Sequence, residues 1–363
     1  MVTYTSLELS CLGLYLRLSF HLPTLDFKLD MKGTNRQRTP RAPVLGVGDS
    51  LGAGDSYLVA DMLPPDLADV AFGRLMTEVQ WQTMYHRGGE VPRLVAVEGE
   101  VAEDGSYPVY RHPSDESPPL APFTPTVALI REHVQKILNH PVNHVLIQLY
   151  RSGKDHISEH SDKTVDVVRG SNIVNVSLGA QRNMTLRLKK DKAARTPALP
   201  EDSAASSTTP PNNSSSSEAQ KNNIPGTPRT SQRIPLPHNS MFVMGLETNA
   251  KWLHGINPDN RFLTTKSPEE QLEQGSRISL TFRHIGTFLT KDASRIWGQG
   301  AKTKMKEEAG LVIDDAKEAQ RMLYAFGDEN QKSNFDWEVA YGVGFDVLHI
   351  KKKEGEQEIV DGS

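Results

Sequence analysis

In the stretch Asp155-His156-Ile157-Ser158-Glu159-His160-Ser161-Asp162-Lys163, His160 and Asp162 stand one residue apart. On an extended backbone both side chains leave the same face, so an imidazole and a carboxylate can converge on one ion. The pair alone is a weak signal, because most His-x-Asp occurrences are surface loops. A second imidazole far downstream gives it chemical weight: His254, in Lys251-Trp252-Leu253-His254-Gly255-Ile256. Two histidines and one carboxylate on one face of an octahedral metal leave three positions open for substrate and oxygen. His156 competes for the role. Its spacing from His160 suits a helix, but Gly153 and the polar neighbours make a loop, so His156 reads as a residue that supports the ligands.

Such a facial triad is the donor set of non-haem Fe(II) oxygenases. A third element is Arg277-Ile278-Ser279-Leu280-Thr281-Phe282-Arg283. Strict alternation puts Ile278, Leu280 and Phe282 on one face and Arg277, Ser279, Thr281 and Arg283 on the other. Two guanidinium groups on one face suit a dicarboxylate, which they can pair bidentately. Taken alone, the pattern reads as an edge strand with a solvated polar face. Leu146, Gln148 and Tyr150 share one face of another strand and bring an amide and a phenol that could bond the same acid.

The elements that must position these residues emerge from composition and punctuation. With 41 basic and 45 acidic residues the net charge is −4, and the proportions exclude collagen-like, coiled-coil and wholly disordered chains. The acidic excess argues against attachment to nucleic acid by net charge, though a local basic patch could still serve. The single Cys11 excludes an intramolecular disulfide and an all-thiolate metal site, and makes a reducing compartment the default. No run approaches the ~18 apolar residues of a membrane span. The run from Leu9 to Leu16 is too short for one, and lacks the flanks of a signal peptide.

Residues 1–56 read as a flexible extension. Within them Lys32, Arg36, Arg38 and Arg41 make a basic arm without acids, and residues 1–30 pattern so poorly with the rest that Met31 reads as the true start. From Tyr57 the chain reads as globular. Helices are expected over 60–79, with Leu67, Val70, Ala71, Leu75 and Val79 inward, and over 125–138, with Val127, Ile130, Val134 and Ile137 inward. Residues 91–113 alternate short extended pieces with Gly and Pro, as loops and hairpins do. Short strands follow at 145–150, 173–178, 184–189, 240–244 and 277–283, a series that points to a β-sandwich or jelly roll. Residues 192–232, with Ser214 to Ser217 and almost nothing apolar, read as a disordered insertion between two strands. Beyond residue 290 a turn at Trp297 to Gly300, a helix over 314–326 and the cluster Phe335, Trp337, Tyr341 and Phe345 make an extension, 291–350, that folds onto the core. Residues 351–363 read as a solvated tail.

On these motifs the region from Tyr57 to Leu289 resembles the AlkB family of Fe(II)- and 2-oxoglutarate-dependent dioxygenases. The resemblance rests on Gln148-Leu149-Tyr150, the His156 to Asp162 loop, Val176-Ser177-Leu178-Gly179-Ala180, Trp252-Leu253-His254 and the final Arg-x-Ser-x-Thr-x-Arg. It implies an α+β fold with a double-stranded β-helix (jelly roll) core and flanking helices, in one dioxygenase domain over 57–290. It also implies that His160, Asp162 and His254 bind Fe(II), that Arg277 and Tyr150 hold the distal carboxylate of 2-oxoglutarate, and that Arg283 holds the carboxylate nearer the metal. Gln148 and Ser279 stand where the family usually has Asn. The implied reaction couples oxidative decarboxylation of 2-oxoglutarate, with O2, to hydroxylation of a C–H bond; on a carbon bound to nitrogen, an aldehyde then leaves.

Family membership favours N-alkylated bases in DNA or RNA, extruded into the pocket. Arg93 and Tyr110 fall where repair members have substrate-covering hairpins, and an aromatic ring at 110 could stack on a base or simply pack the hairpin. Thr164 stands where such members carry an acid. Demethylation of nucleic acid is supported by the basic arm and by Lys302, Lys304 and Lys306; oxidation of a small metabolite or a protein side chain is supported by the acidic net charge and Thr164. A monomer, free of membrane and placed in nucleus or cytoplasm, completes the expectation.

Overall fold

The structure, a computed structural model, describes residues 42–86, 89–113, 118–190 and 229–348. The first 41 residues with their basic arm and Cys11, nearly all of the 192–232 insertion and the tail after 350 lie outside the described residues.

The described chain begins with β1 (Tyr57–Val59), α1 (Pro65–Glu78), β2 (Tyr85–His86), β3 (Gly89–Glu90), β4 (Leu94–Gly99), β5 (Tyr107–Pro108) and β6 (Leu120–Pro122). There follow α2 (Pro125–Leu138), β7 (His144–Tyr150), β8 (Ile157–His160), β9 (Ile173–Gly179), β10 (Arg182–Leu188), β11 (Ser231–Leu236), β12 (Ser240–Met244), α3 (Leu246–Lys251) and β13 (Trp252–Ile256). The last group is α4 (Pro268–Gln271), β14 (Arg277–Arg283), β15 (Thr287–Leu289), β16 (Arg295–Gly298), β17 (Gly310–Leu311), α5 (Ala316–Gln331) and α6 (Trp337–Tyr341).

A seven-stranded sheet runs β1-β12-β9-β14-β7-β4-β6, and a four-stranded sheet runs β11-β10-β13-β8. From β9 onward the chain passes from the larger sheet to the smaller and back, so that β10, β11 and β13 lie in one and β12 and β14 in the other. Two cores result. Tyr150, Met184, Leu186, Ile234, Phe242 and Trp252 pack between the sheets, while the other face of the larger sheet packs against α1 and α2 through Leu75, Ile130, Val134, Ile147, Val176 and Leu280. Each such aliphatic side chain, fully buried, contributes about 1.5–3 kcal/mol of transfer free energy.

β14 sits between β7 and β9, in register Ile278↔Leu149 and Ile278↔Leu178. This corrects the edge-strand reading: both faces are covered, the apolar one by the helices and the polar one by the smaller sheet, so the arginines are buried. β4, read as part of a run of loops and hairpins, is an inner strand pairing with β7 and β6. Its apolar core is only Leu94 to Val97, too short to announce a strand among the Gly and Pro around it.

Helix α1 starts five residues later than expected at Pro65, because Pro64 is held extended and a proline at the first helical position is already shaped for the turn. Its inner face is Ala68, Ala71, Phe72 and Leu75, whereas Val70 is exposed. α2 matches its expected bounds and stops at Asn139, whose left-handed φ of 56° ends the helix; Ile137 in the final turn is exposed. Residues 43–56, expected to belong to the flexible extension, pack: Leu51 is in the inter-sheet core, and Leu45 N and Arg233 N donate along the β11 edge. The strand after the insertion begins at Ser231, paired with Arg187. Trp297 and Gly298, expected in a turn, complete β16 within a third sheet, β17-β16-β15-β5.

α5 runs to Gln331, past the expected end, because Asp315 caps its start and the buried Glu329 gives its polar last turn partners inside the protein. Phe326, Tyr341, Phe345 and Val347 pack with Val165 of the core. Arg111 and Asp166, both fully buried, tie this region further: the guanidinium spans Asp166 and the carbonyls of Gly300, Phe345 and Val347.

Candidate metal centre

The register of β8 on β13 places His160 directly opposite His254, with ring centroids 4.3 Å apart. β8 ends at His160, and the next residues are held from outside the strand. Ser161 N donates to the Asn330 carboxamide oxygen at 2.9 Å. Asn249 of α3 clamps the Asp162 backbone reciprocally, accepting from its N–H at 2.8 Å and donating to its carbonyl at 3.0 Å. Asp162 Oδ1 is thereby set 3.7 Å from His160 Nε2 and 3.5 Å from His254 Nε2, and the three donor atoms lie within 4.8 Å of one another. The three donor atoms are near enough to close on one first-row ion by small side-chain movements.

The protonation states match. His160 Nδ1 sits 2.8 Å from the Ser158 carbonyl, which can only accept, so the proton is on Nδ1 and Nε2 keeps its lone pair. Burial lowers His160 and, helped by the neighbouring His160 ring, moves His254 down to about 3. Both imidazoles are neutral at pH 7, as metal ligation demands. Burial would raise Asp162, but Arg283 and the two histidines outweigh it and hold the carboxyl below the usual carboxylate range. Arg283 donates through Nε (2.9 Å) and Nη2 (2.6 Å) to Asp162 Oδ2, which leaves Oδ1 facing the histidines. The arginine expected on the cosubstrate therefore spends two of its donors orienting the carboxylate of the candidate triad.

Next to this cluster is an inner cavity of about 50 Å³ bounded by Gln148, Tyr150, Asn175, Arg277, Ser279 and Arg283 as well as the three metal-type residues. Arg277 Nη2 donates to Asn175 Oδ1 (2.9 Å) and Ser177 Oγ (2.7 Å), and the guanidinium lies 5.2 Å from the Tyr150 ring. Burial moves Arg277 down to about 10, so it stays cationic at neutral pH. Tyr150 donates to Gln148 Oε1 at 3.3 Å, and Ser279 Oγ accepts from Asn175 Nδ2 at 2.6 Å. Three guanidinium donors, Nε and Nη1 of Arg277 and Nη1 of Arg283, are buried with no partner among the described residues. Leaving a buried charged donor unmatched costs about 1–3 kcal/mol or more, so this wall suits an anion with a carboxylate at each end.

An outer cavity of about 770 Å³ opens on the same His160 and Asp162, within the size range of ligand pockets. The β2–β3 hairpin and Arg93 form one side. Arg93 Nη1 donates to the His156 carbonyl at 2.9 Å, holding the start of β8. Tyr110 lines the cavity half-buried, with its ring 4.1 Å from the Arg283 guanidinium, stacked on His112, and its hydroxyl accepting from Lys163 N. Thr164 is not brought to either cavity: its N–H and hydroxyl both donate to Glu329 of α5. Lys302 pairs with Glu318, Lys304 Nζ donates to the carbonyls of Gln299 and Ala301, and Lys306 pairs with Asp104. Lys304 is thus tied to the backbone, while Lys302 and Lys306 make surface ion pairs.

Residues that sequence reasoning missed are Asn175, Asn249, Glu329 and Asn330. Only Asn175 left a signal, as a polar residue in phase with Ser177 in the otherwise apolar strand Ile-Val-Asn-Val-Ser-Leu.

The model of the 2OG-Fe(II) oxygenase superfamily matches residues 55–283. The chain is 28% identical over 277 residues to DNA oxidative demethylase ALKBH2 of Homo sapiens, covering 72% of this chain and 87% of that protein. It is 25% identical over 222 residues to alpha-ketoglutarate-dependent dioxygenase alkB homolog 3 of Bos taurus, covering 60% and 62%. A solved structure of OsALKBH1 aligns with a TM-score of 0.37 and 14% identity over 63% of this chain and 97% of that one.

Proposed function

Because this chain belongs to the 2OG-Fe(II) oxygenase superfamily, we propose that it is an oxidative demethylase of N-alkylated nucleobases in DNA or RNA. The observation that carries the reading is an outer cavity roomy enough for a base, opening on the His160–Asp162–His254 cluster beside an inner wall of unmatched arginine donors. The names of the similar proteins support the choice of substrate. As a member of the superfamily the enzyme uses Fe(II), 2-oxoglutarate and O2. We read the two sheets as the walls of a double-stranded β-helix, on the strength of the chain's alternation between them.

His160 Nε2, Asp162 Oδ1 and His254 Nε2 would hold the iron. Bound there with 2-oxoglutarate and O2, it supplies the oxidising equivalent for a C–H bond while the cosubstrate loses carbon dioxide and becomes succinate. Arg283 keeps Asp162 Oδ2 occupied and so presents Oδ1 to the metal; its remaining donor, Nη1, would meet the nearer carboxylate of the cosubstrate. Arg277, braced by Asn175 and Ser177, would hold the distal carboxylate together with Tyr150. Gln148 and Ser279 keep that wall polar. Arg93 and Tyr110 would bound the space taken by an extruded base, and the hydroxylated N-methyl carbon would leave as formaldehyde.

The test is incubation of the purified protein with Fe(II), 2-oxoglutarate and oligonucleotides carrying N-methylated bases, following formaldehyde and the mass of each base. Loss of one methyl per succinate is the expected result. Succinate formed without any change in the oligonucleotides would overturn the nucleic-acid reading. It would favour a small metabolite or a protein side chain.

A further inference from the structure

Part of the lining of the outer cavity comes from α5, in a part of the chain beyond the superfamily match, which ends at residue 283. Leu323, Phe326, Gly327, Asn330 and Gln331 line it, at the i, i+3, i+4, i+7 and i+8 spacing of a single helical stripe. At its centre is a glycine. A Cβ built at Gly327 meets no atom within 4 Å, so the stripe has a notch that no neighbouring side chain fills. Glycine inside a helix costs about 1 kcal/mol relative to alanine, and the helical backbone here does not require it. The notch lets a flat ring approach the helix backbone more closely than any side chain would permit.

This wall is not loosely apposed. Glu329 takes two hydrogen bonds from Thr164 and one from the Tyr341 hydroxyl at 2.7 Å, while its carbonyl accepts from Lys189 Nζ at 2.6 Å. Asn330 holds Ser161. α5 is therefore fastened on both sides of Asp162, and its stripe faces the cavity at a height set by the metal-site loop itself.

We propose that α5 is a substrate-recognition wall, with the notch at Gly327 receiving the face of the extruded nucleobase and Leu323 and Phe326 flanking it. The proposal rests on the demethylase reading and adds a specificity element that the superfamily match does not contain.

Gly327→Phe fills the notch from a position where a Cβ meets open space, Gly327→Ala fills it partly, and Tyr324→Ala on the exposed face of α5 serves as the control. Three quantities are measured: the KM for a methylated oligonucleotide, the affinity for 2-oxoglutarate by calorimetry with Mn(II) in place of iron, and Tm. Gly327→Phe should raise KM about tenfold or more, as expected when a pocket loses room for its ligand. Its 2-oxoglutarate affinity should stay at the wild-type level and its Tm at or above it, since the helix loses a glycine; the KM of Gly327→Ala should fall between, and Tyr324→Ala should match wild type in KM and 2-oxoglutarate affinity. An active, folded Gly327→Phe with wild-type KM overturns the role of α5 while leaving the demethylase reading standing. A wild-type chain that demethylates no oligonucleotide overturns that reading, and base recognition by α5 with it. Should Gly327→Phe not fold, Leu323→Trp, at a 40%-exposed position on the same stripe, must raise KM in its place, and a wild-type KM there overturns the proposal.

Discussion

Asp162 offers its two carboxylate oxygens to different partners, one to Arg283 and one toward His160 and His254. Such outer partners are worth about 10–100-fold in metal affinity, so Arg283→Met should weaken Mn(II) binding by that factor in a calorimetric titration. An unchanged affinity would show that Asp162 is oriented by its Asn249 clamp alone. Arg277 is the residue proposed to hold 2-oxoglutarate. Removing charge-assisted bonds of about 1.5–3 kcal/mol should raise the 2-oxoglutarate Kd about 10–100-fold in Arg277→Met, with metal affinity preserved. At this scale the sequence was most legible where spacing is local: His160-x-Asp162 and the arginine alternation need only strand geometry. The brackets made by Asn249 and Asn330 come from α3 and α5, and no local pattern marks an asparagine that will meet a loop distant in the chain.

Among elements, the junction of β4 with α2 carries a pH dependence. Glu98, buried near the end of β4, accepts from Thr124 N (2.9 Å) and Thr124 Oγ1 (3.2 Å) at the start of α2, and burial moves it up to about 7. The folded state thus binds this proton more tightly than the unfolded chain, where the carboxyl titrates near 4.5. Its contribution is fully present below the unfolded value and is lost as pH rises through about 7. Urea midpoints taken at about pH 5 and about pH 8 should fall more for wild type than for Glu98→Gln, which keeps the shape and cannot titrate. Equal falls would assign the pH dependence to other groups. Strands with a strong apolar run, such as β12 and β7, were readable to within a residue, and so was α2. β14 was placed at an edge because its polar face looked solvated; pairing with β7 on one side and β9 on the other makes it interior, and the smaller sheet lying over that face takes it out of solvent.

For the whole molecule, the buried Arg111–Asp166 pair joins the segment before β6, the stretch after the metal-site loop and the region beyond β16. Breaking a buried pair from one side strands a charge and costs about 3–5 kcal/mol, so Arg111→Met and Asp166→Leu should each lower stability by that amount in urea unfolding, with the double variant losing less than their sum. Strict additivity would mean the two groups act independently. The sequence announced the aromatic residues of this region, yet not that the helix before them would reach the cavity, because α5 is positioned by the polar residues Glu329 and Asn330.

The hydrogen-bonded pairing of β10 with the edge strand β11 pins the two ends of the long connector, at Arg187 and Ser231, directly across from each other, with β8 and its His160 at the opposite edge of the smaller sheet. A connector whose ends already touch can be replaced by a tight turn without moving either strand. Closure entropy scales with the logarithm of connector length, so a tenfold shortening should gain about 2 kcal/mol. The shortened protein should melt higher and keep wild-type metal affinity, which makes this edge the natural place to trim or insert sequence for crystallisation or labelling.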